Sequence, residues 1–159
     1  MNGVDAWRAA LCNRQPNRRG VSTLTVNPFN CTVQQSRQFD THRSADHATR
    51  LRNYLQLLNH GSIVVGVTGD EPRRYLDNAL PTLRLLGVEV SDVQHRGSFG
   101  FIVQKGFPGK TVLSKVLTET ESNMNPASFN ATITGNLCTV NAYCKLTKHL
   151  LSIARFSSD

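Results

Sequence analysis

The 159-residue sequence lacks long hydrophobic runs, internal repeats and blocks of five or six like charges. No apolar run approaches the roughly 20 residues that a transmembrane helix needs, so no membrane span is expected in this chain. The N-terminus, Met1 to Arg8, also lacks the charged-then-apolar order of a signal peptide. If the protein is secreted, the chain is therefore expected to be a fragment or to have an incomplete N-terminus.

Catalytic and metal-binding motifs are absent as well. The sequence contains no G-x-S-x-G, no H-E-x-x-H and no glycine-rich phosphate loop. Asp40 and Asp46 lie near His42 and His47, but the two histidines are five positions apart and share no helical face. Polar groups at a helix entry are the simpler interpretation. We expect neither an enzyme, nor a metal site, nor a cofactor.

The composition indicates a globular protein with the length of a single domain. It is 39% hydrophobic and 7% aromatic, and its formal net charge is +7. A basic protein favours an acidic partner, such as nucleic acid, an anionic glycan or a membrane surface. The basic residues are scattered, however, which is typical of a solvated surface.

Four cysteines permit two disulfides with three possible connectivities. The candidates are Cys12, Cys31, Cys138 and Cys144. Sequons for N-glycosylation begin at Asn30 and Asn130. Together these features favour an extracellular or luminal protein over a cytosolic protein with four free thiols.

The stretch from Gly61 to Glu71 organises the predicted fold. Its β-branched run, residues 63–67, predicts a strand buried on both faces, which ends in a turn carrying Asp70 and Glu71. Adjacent acids point apart, so we expect no catalytic carboxylate pair. The interpretation favours Asp70 as a hydrogen-bond acceptor between two arginines, and Glu71 as a turn or surface residue.

Periodicity predicts further elements on either side. Residues 20–26 alternate as a strand, and residues 33–39 could return as the second arm of a hairpin. A helix capped by Ser44 ends at Gly61, and residues 98–104 form another strand. Asn78 is expected to cap a second helix that closes at Gly87. Residues 122–136 are polar and turn-rich, and residues 146–156 could form a short amphipathic helix.

The segment from Arg96 to Gln104 partly matches an RNA-binding strand, basic-Gly-aromatic-Gly-aromatic. Ser98 is inserted in that pattern, and the strand at residues 63–68 offers no aromatic side chain for base stacking. An RNA-recognition fold is therefore the third alternative, and no nucleic acid partner is expected.

The order of these signals resembles the ILEI/PANDER-like domain, the family of the interleukin-like EMT inducer. The resemblance covers roughly residues 18–107. It rests on Arg19-Gly20, Phe39-Asp40-Thr41, Gly61-Ser-Ile-Val, Asp70-Glu71, Leu86-Gly87, Arg96-x-x-Phe99-x-Phe101 and Lys105-Gly106. Related domains occur in cell-surface hyaluronan-processing proteins, in cytokine-like proteins and in the stem of a glycosyltransferase acting on O-mannosyl glycans.

The resemblance implies an α+β fold: a compact β-β-α sandwich of two small antiparallel sheets flanked by helices. We divide the chain into a lead-in (residues 1–17), the ILEI/PANDER-like domain (18–118) and a C-terminal extension (119–159). The resemblance also implies a non-catalytic extracellular module.

By position, the sugar contacts of the glycosyltransferase stem fall on Arg19, Asp70 and Arg96. The family's Gly-aromatic-Arg-Asp-x-Trp segment differs here, because Gly97 replaces its acid and Phe99 its tryptophan. Pro72 also replaces the usual glycine after Asp-Glu. Two functional hypotheses follow. One is a carbohydrate-binding accessory module that uses these three residues, with a glycan partner. The other is a cytokine-like or protein-binding domain, with a cell-surface protein partner, in which they are structural.

Overall fold

The computed structural model describes residues 19–117 with their side chains, and the backbone of residues 128–134, 139–145 and 153–157. Two α-helices occur in the described part, α1 (Ala45–Leu57) and α2 (Leu80–Leu85), with short 3₁₀ turns at Leu76–Asn78 and Pro108–Lys110. The strands are β1 (Val21–Val26), β2 (Val33–Phe39), β3 (Ile63–Thr68), β4 (Ser98–Gln104), β5 (Val112–Val116), β6 (Ser128–Thr134), β7 (Thr139–Lys145) and β8 (Ile153–Ser157).

The first five strands form one antiparallel sheet in the order β2-β1-β3-β4-β5. β3 lies at its centre, and all six of its residues are buried. A strand covered on both faces carries apolar, β-branched residues without alternation, as the run Ile63-Val64-Val65 does. The predicted strand buried on both faces is confirmed.

β1 and β2 form the predicted hairpin, in which Val21 pairs with Phe39 and a register shift lies beside Val26. The turn is closed by backbone hydrogen bonds between Asn27 and Thr32 (2.9 Å) and between Cys31 and Asn27 (3.0 Å). Cys31 is disulfide-bonded. The side chains of the three other cysteines lie outside the described residues, so the pairing stays open.

α1 packs on one face of the sheet through Ala48, Leu51 and Leu55, which are fully buried at helical spacing. Ser44 occupies the predicted N-cap position, with an extended backbone but no capping hydrogen bond from its side chain. At the other end of the helix, Lys105 Nζ donates to the carbonyl of Leu55 at 2.7 Å. A cation is favourable there, because the last carbonyls of a helix lack backbone partners.

The core between α1, α2 and the sheet depends on one glycine. A Cβ atom at Gly66 would lie 2.1 Å from Cζ of Phe101, the residue paired with it on β4. The absent side chain gives the Phe101 ring room to lie across β3. The opposite face of the sheet is also buried; it includes Leu24, Val65 and Ile102, and β6 comes within 8 Å of β4 and β5 in Cα–Cα distance.

The α+β class is confirmed, but the predicted sandwich of two small sheets is wrong for residues 18–118. That region forms a single sheet, because β3 hydrogen-bonds to β1 on one side and to β4 on the other. The domain boundaries themselves stay a prediction. Within the described residues, no helix is long and apolar enough to cross a membrane.

Three local predictions differ from the structure, and one strand was not predicted. Strand β5 was not predicted, and β6 forms within the segment expected to be rich in turns. Residues 153–157 of the expected C-terminal helix form β8 instead, whereas residues 146–152 lie outside the described part. α2 begins after Ala79, because Asn78 belongs to the preceding 3₁₀ turn and its amide points to Thr49 Oγ1 at 3.4 Å.

Candidate functional site

Four chain segments meet at one end of the five-stranded sheet. Because neighbouring strands run antiparallel, the starts of β1 and β4 lie beside the ends of β2 and β3. Arg19, Asp70 and Arg96 therefore come from segments that gather at this end, and we call these three residues the polar cluster.

The backbones of Arg19 and Asp70 form an isolated parallel bridge. The N–H of Gly20 donates to the carbonyl of Asp70 at 3.0 Å, and the N–H of Gly69 donates to the carbonyl of Gly20 at 2.9 Å. Gly20 has φ +84°, and a Cβ there would lie 2.1 Å from the carbonyl oxygen of Phe39. Only glycine fits this conformation and this close approach, which fixes the main chain beside Arg19.

The side chain of Arg19 does not pair with Asp70. Its guanidinium lies 3.3 Å from Oδ2 of Asp40, on the segment that follows β2. The other oxygen of Asp40 accepts the N–H of Arg43 at 3.0 Å, and the N–H of Asp40 donates to Nδ1 of His47 at 3.2 Å. Asp40 and His47 thus organise the entry to α1, as the simpler interpretation of the His-Asp segment predicts.

Glu71 is the structural anchor of this end of the sheet. It is only 5% exposed. Its Oε2 accepts the N–H of Arg96 at 2.7 Å and lies 3.2 Å from Nε2 of His95, while its Oε1 accepts the N–H of Arg73 at 3.2 Å. The prediction that Asp70 anchors the arginines and that Glu71 is a surface residue is therefore wrong in its assignment of the two acids.

Asp70 and Arg96 are both exposed, and neither side chain makes a hydrogen bond or ion pair within the described part of the chain. Two non-glycine residues here have left-handed backbones, Glu71 with φ 45° and Arg96 with φ 59°. Such conformations are costly and persist where surrounding contacts hold them. The turn is held further by Thr41, whose Oγ1 donates to the carbonyl of Pro72 at 2.7 Å.

This arrangement presents a planar donor group and an acceptor-only group to solvent. A carboxylate accepts hydrogen bonds from hydroxyls and a guanidinium donates to oxygen, which suits a polyhydroxylated ligand. Within residues 19–117, no group of His, Cys, Asp and Glu side chains is suited to hold a metal ion. Phe99 and Phe101 are fully buried, so these two rings cannot stack on nucleic acid bases.

The family model of the interleukin-like EMT inducer (ILEI) matches residues 19–107, which is more than half of the chain. The chain belongs to the ILEI family. The matched region begins at Arg19 and includes all of the polar cluster, together with the anchor Glu71. The predicted resemblance to this family is confirmed.

One curated relative is the human cell migration-inducing and hyaluronan-binding protein. It is 33% identical over 101 residues, which is 62% of this chain. The chain spans only 7% of the length of that relative. The similarity therefore concerns one ILEI domain within a much longer protein.

Sequence reasoning missed the role of Glu71, although it singled out the turn. Both acids directly follow a buried strand, and that position gave no sign of which one turns inward. Glu71 has a left-handed φ of 45°, and its carboxylate accepts the N–H groups of Arg73 and Arg96. These contacts form only in the folded structure, so the residue types alone do not predict them.

Proposed function

We propose that this chain is an extracellular, non-catalytic carbohydrate-binding module of the ILEI family, with Arg19, Asp70 and Arg96 as its sugar contacts. The observation that carries the proposal is the exposure of Asp70 and Arg96 on a rigidly held end of the sheet. Two charged side chains without protein partners in the described region are free to bond with a ligand. The name of the hyaluronan-binding relative supports a glycan as that ligand.

The different environments of Glu71 and Asp70 favour a binding role over catalysis. The oxygens of Glu71 are already bonded to backbone N–H groups and lie beside His95. Asp70 faces solvent, where water weakens the electrostatic effects that catalysis uses. Glu71 is buried and Asp70 is exposed, so the two carboxylates do not flank a common substrate bond as an acid–base pair does.

The extracellular or luminal location rests on chemistry as well as on family. Cys31 is disulfide-bonded, and disulfides persist in oxidising compartments. A module of this kind would meet glycans on cell surfaces or during secretion.

Glycan-array binding of the full chain, before and after substitution, tests the proposal. Asp70→Ala and Arg96→Ala should each reduce binding about tenfold or more, because each removes a charge-assisted hydrogen bond to the sugar. Thermal unfolding temperatures should stay nearly unchanged, since both side chains are exposed and unpaired in the described region. Arg84→Ala, an exposed arginine on α2, is the matched control and should bind like the wild type.

The cytokine-like, protein-binding hypothesis makes the opposite prediction, in which the polar cluster is structural. Absence of glycan binding by the wild type, or full binding by both variants, would overturn the proposal in favour of that alternative. A large loss of stability in Asp70→Ala would also contradict it.

A further inference from the structure

A groove of about 460 Å³ lies between the edge strand β2 and helix α1. Its polar lining comes from both elements: Gln35, Arg37 and Gln38 on β2, and His47 and Arg50 on α1. Phe39, Tyr54, Leu57 and Leu58 supply apolar surface. The groove does not include any residue of the polar cluster.

Tyr54 is held in place within the groove. Its hydroxyl is hydrogen-bonded to Oγ1 of Thr25, and its ring packs against Phe39 with a centroid distance of 5.5 Å. On the same helix, Leu57 is 83% exposed. A fixed aromatic ring beside exposed apolar surface suits contact with the apolar C–H face of a sugar ring.

The charge of the groove is basic. Arg37 is exposed. Its guanidinium donates two hydrogen bonds to the side-chain oxygen of Gln35, at 2.6 and 2.9 Å, when the Gln35 amide is oriented with that oxygen toward Arg37. Arg50 pairs with Asp46 at 2.7 Å, but both side chains are more than 60% exposed. Exposed ion pairs contribute little and exchange easily for an anionic ligand.

The groove continues into the polar cluster through a short chain of contacts. His47 lines the groove and accepts the N–H of Asp40 at 3.2 Å. Asp40 in turn lies 3.3 Å from the guanidinium of Arg19, whose backbone bridges to Asp70. From Gln35 to Asp40 the strand advances about 16 Å, so groove and cluster together form an elongated surface.

We propose that this surface binds an extended anionic glycan, with the β2–α1 groove holding carboxylate-bearing sugars and the polar cluster holding the adjoining unit. The inference rests on the proposed function and names the ligand class as a uronic-acid polymer. Two arginines match the carboxylates, Gln35 and Gln38 match hydroxyl and acetamide groups, and Tyr54 contacts the ring face.

An extended acidic peptide is the competing occupant, because β2 is an edge strand and peptides can add to such edges. The residues that line the β2–α1 groove favour the glycan over the peptide. Arg37 on an edge strand and the register shift beside Val26 are features that discourage strand addition. The amides and the fixed tyrosine also suit sugars.

Calorimetric titration of the full chain with hyaluronan oligosaccharides of increasing length tests the inference. Affinity should rise with length until the groove is filled, should fall with added salt, and should drop about tenfold or more when the carboxyl groups are reduced to alcohols. Arg37→Ala and Arg50→Ala should each weaken the long oligosaccharide about tenfold and remove much of its advantage over the short one.

Arg52→Ala is the matched control, because Arg52 lies on the same helix two residues from Arg50 and does not line the groove. Equal affinities for the charged and carboxyl-reduced oligosaccharides would overturn the inference. A loss of affinity in Arg52→Ala as large as that in Arg37→Ala or Arg50→Ala would also overturn it. Equal or tighter binding of polyglutamate would assign the groove to peptides instead. If Asp70→Ala and Arg96→Ala lose glycan binding while the groove variants retain it, the proposed function stands and this inference fails.

Discussion

The buried carboxylate of Glu71 accepts the backbone N–H of Arg96 at 2.7 Å, and the two residues are 25 positions apart in the chain. This bond joins the turn after β3 to the loop before β4. Because Arg96 also has a left-handed φ of 59°, its backbone depends on that partner. The backbone that carries the exposed guanidinium is therefore held by a residue that is itself buried.

Glu71→Ala should lower the free energy of unfolding by about 2–3 kcal/mol, because it leaves the N–H groups of Arg73 and Arg96 without their acceptor. Urea denaturation monitored by circular dichroism measures the change. The neighbouring substitution Asp70→Ala is the control and should stay within about 0.5 kcal/mol of the wild type. Equal losses in the two variants would contradict the assigned roles.

Gly20→Ala should destabilise the domain by about 3 kcal/mol or more, because the new Cβ would lie 2.1 Å from a backbone oxygen at a left-handed φ. The loss is read from the urea midpoint or, if severe, from the soluble yield. Gly109→Ala provides the comparison, since a Cβ at Gly109 meets no atom within 4 Å. That variant should change the stability by less than about 1 kcal/mol. A stable Gly20→Ala protein would show that the main chain beside Arg19 can rearrange.

Asn30 should carry an N-linked glycan when the chain is secreted from eukaryotic cells behind a supplied signal sequence. Asn30 is exposed on the β1–β2 turn, and Thr32, the third residue of its sequon, is exposed beside it. Asn30→Gln and Thr32→Ala should each remove the same glycosidase-sensitive mass. Asn27→Gln, in the same turn but outside a sequon, should leave that mass in place. The side chain of Asn130 lies outside the described residues, so the second site stays a prediction.

The pKa of Glu89 is lowered from 4.5 to about 2 by hydrogen bonds from Arg84 and from the side chain and backbone of Ser91. Its folded-state pKa lies below its unfolded value, so its contribution to stability is present above about pH 4.5 and is lost as the pH falls toward 2. An NMR titration of the Glu89 side chain measures this value. Arg84→Ala should raise the pKa while the Ser91 bonds keep it below 4.5. An unchanged titration in Arg84→Ala would rule out the arginine as the main cause.

Local chemistry predicted much of the fold. The β-branched run identified β3, and the helical spacing of Ala48, Leu51 and Leu55 identified α1 within a few residues. β5 was not predicted, because the five residues Val112–Val116 mix apolar and polar residues without regular alternation and no strong turn residue directly bounds them. The pairing of the strands into one sheet was not predicted either, because it depends on contacts between residues that are far apart in the sequence.

The candidate site was predicted in location but not in its internal bonds. The family resemblance selected Arg19, Asp70 and Arg96, and antiparallel strand order brings their segments to one end of the sheet. Which carboxylate turns inward depends on backbone torsions that residue types do not reveal. The β2–α1 groove was missed because its lining residues are 23 positions apart at the extremes, from Gln35 to Leu58, on two elements whose packing only the structure shows.

The two ends of the β1–β2 hairpin are held in different ways. Cys31, in its disulfide, lies at the turn, whereas the other end of β2 leads to Asp40 and the contacts of Arg19. Seven residues of strand span about 23 Å between these ends. Reduction of the disulfide would therefore release the turn, whereas the contacts between Asp40 and Arg19 at the far end of β2 involve no cysteine and would persist.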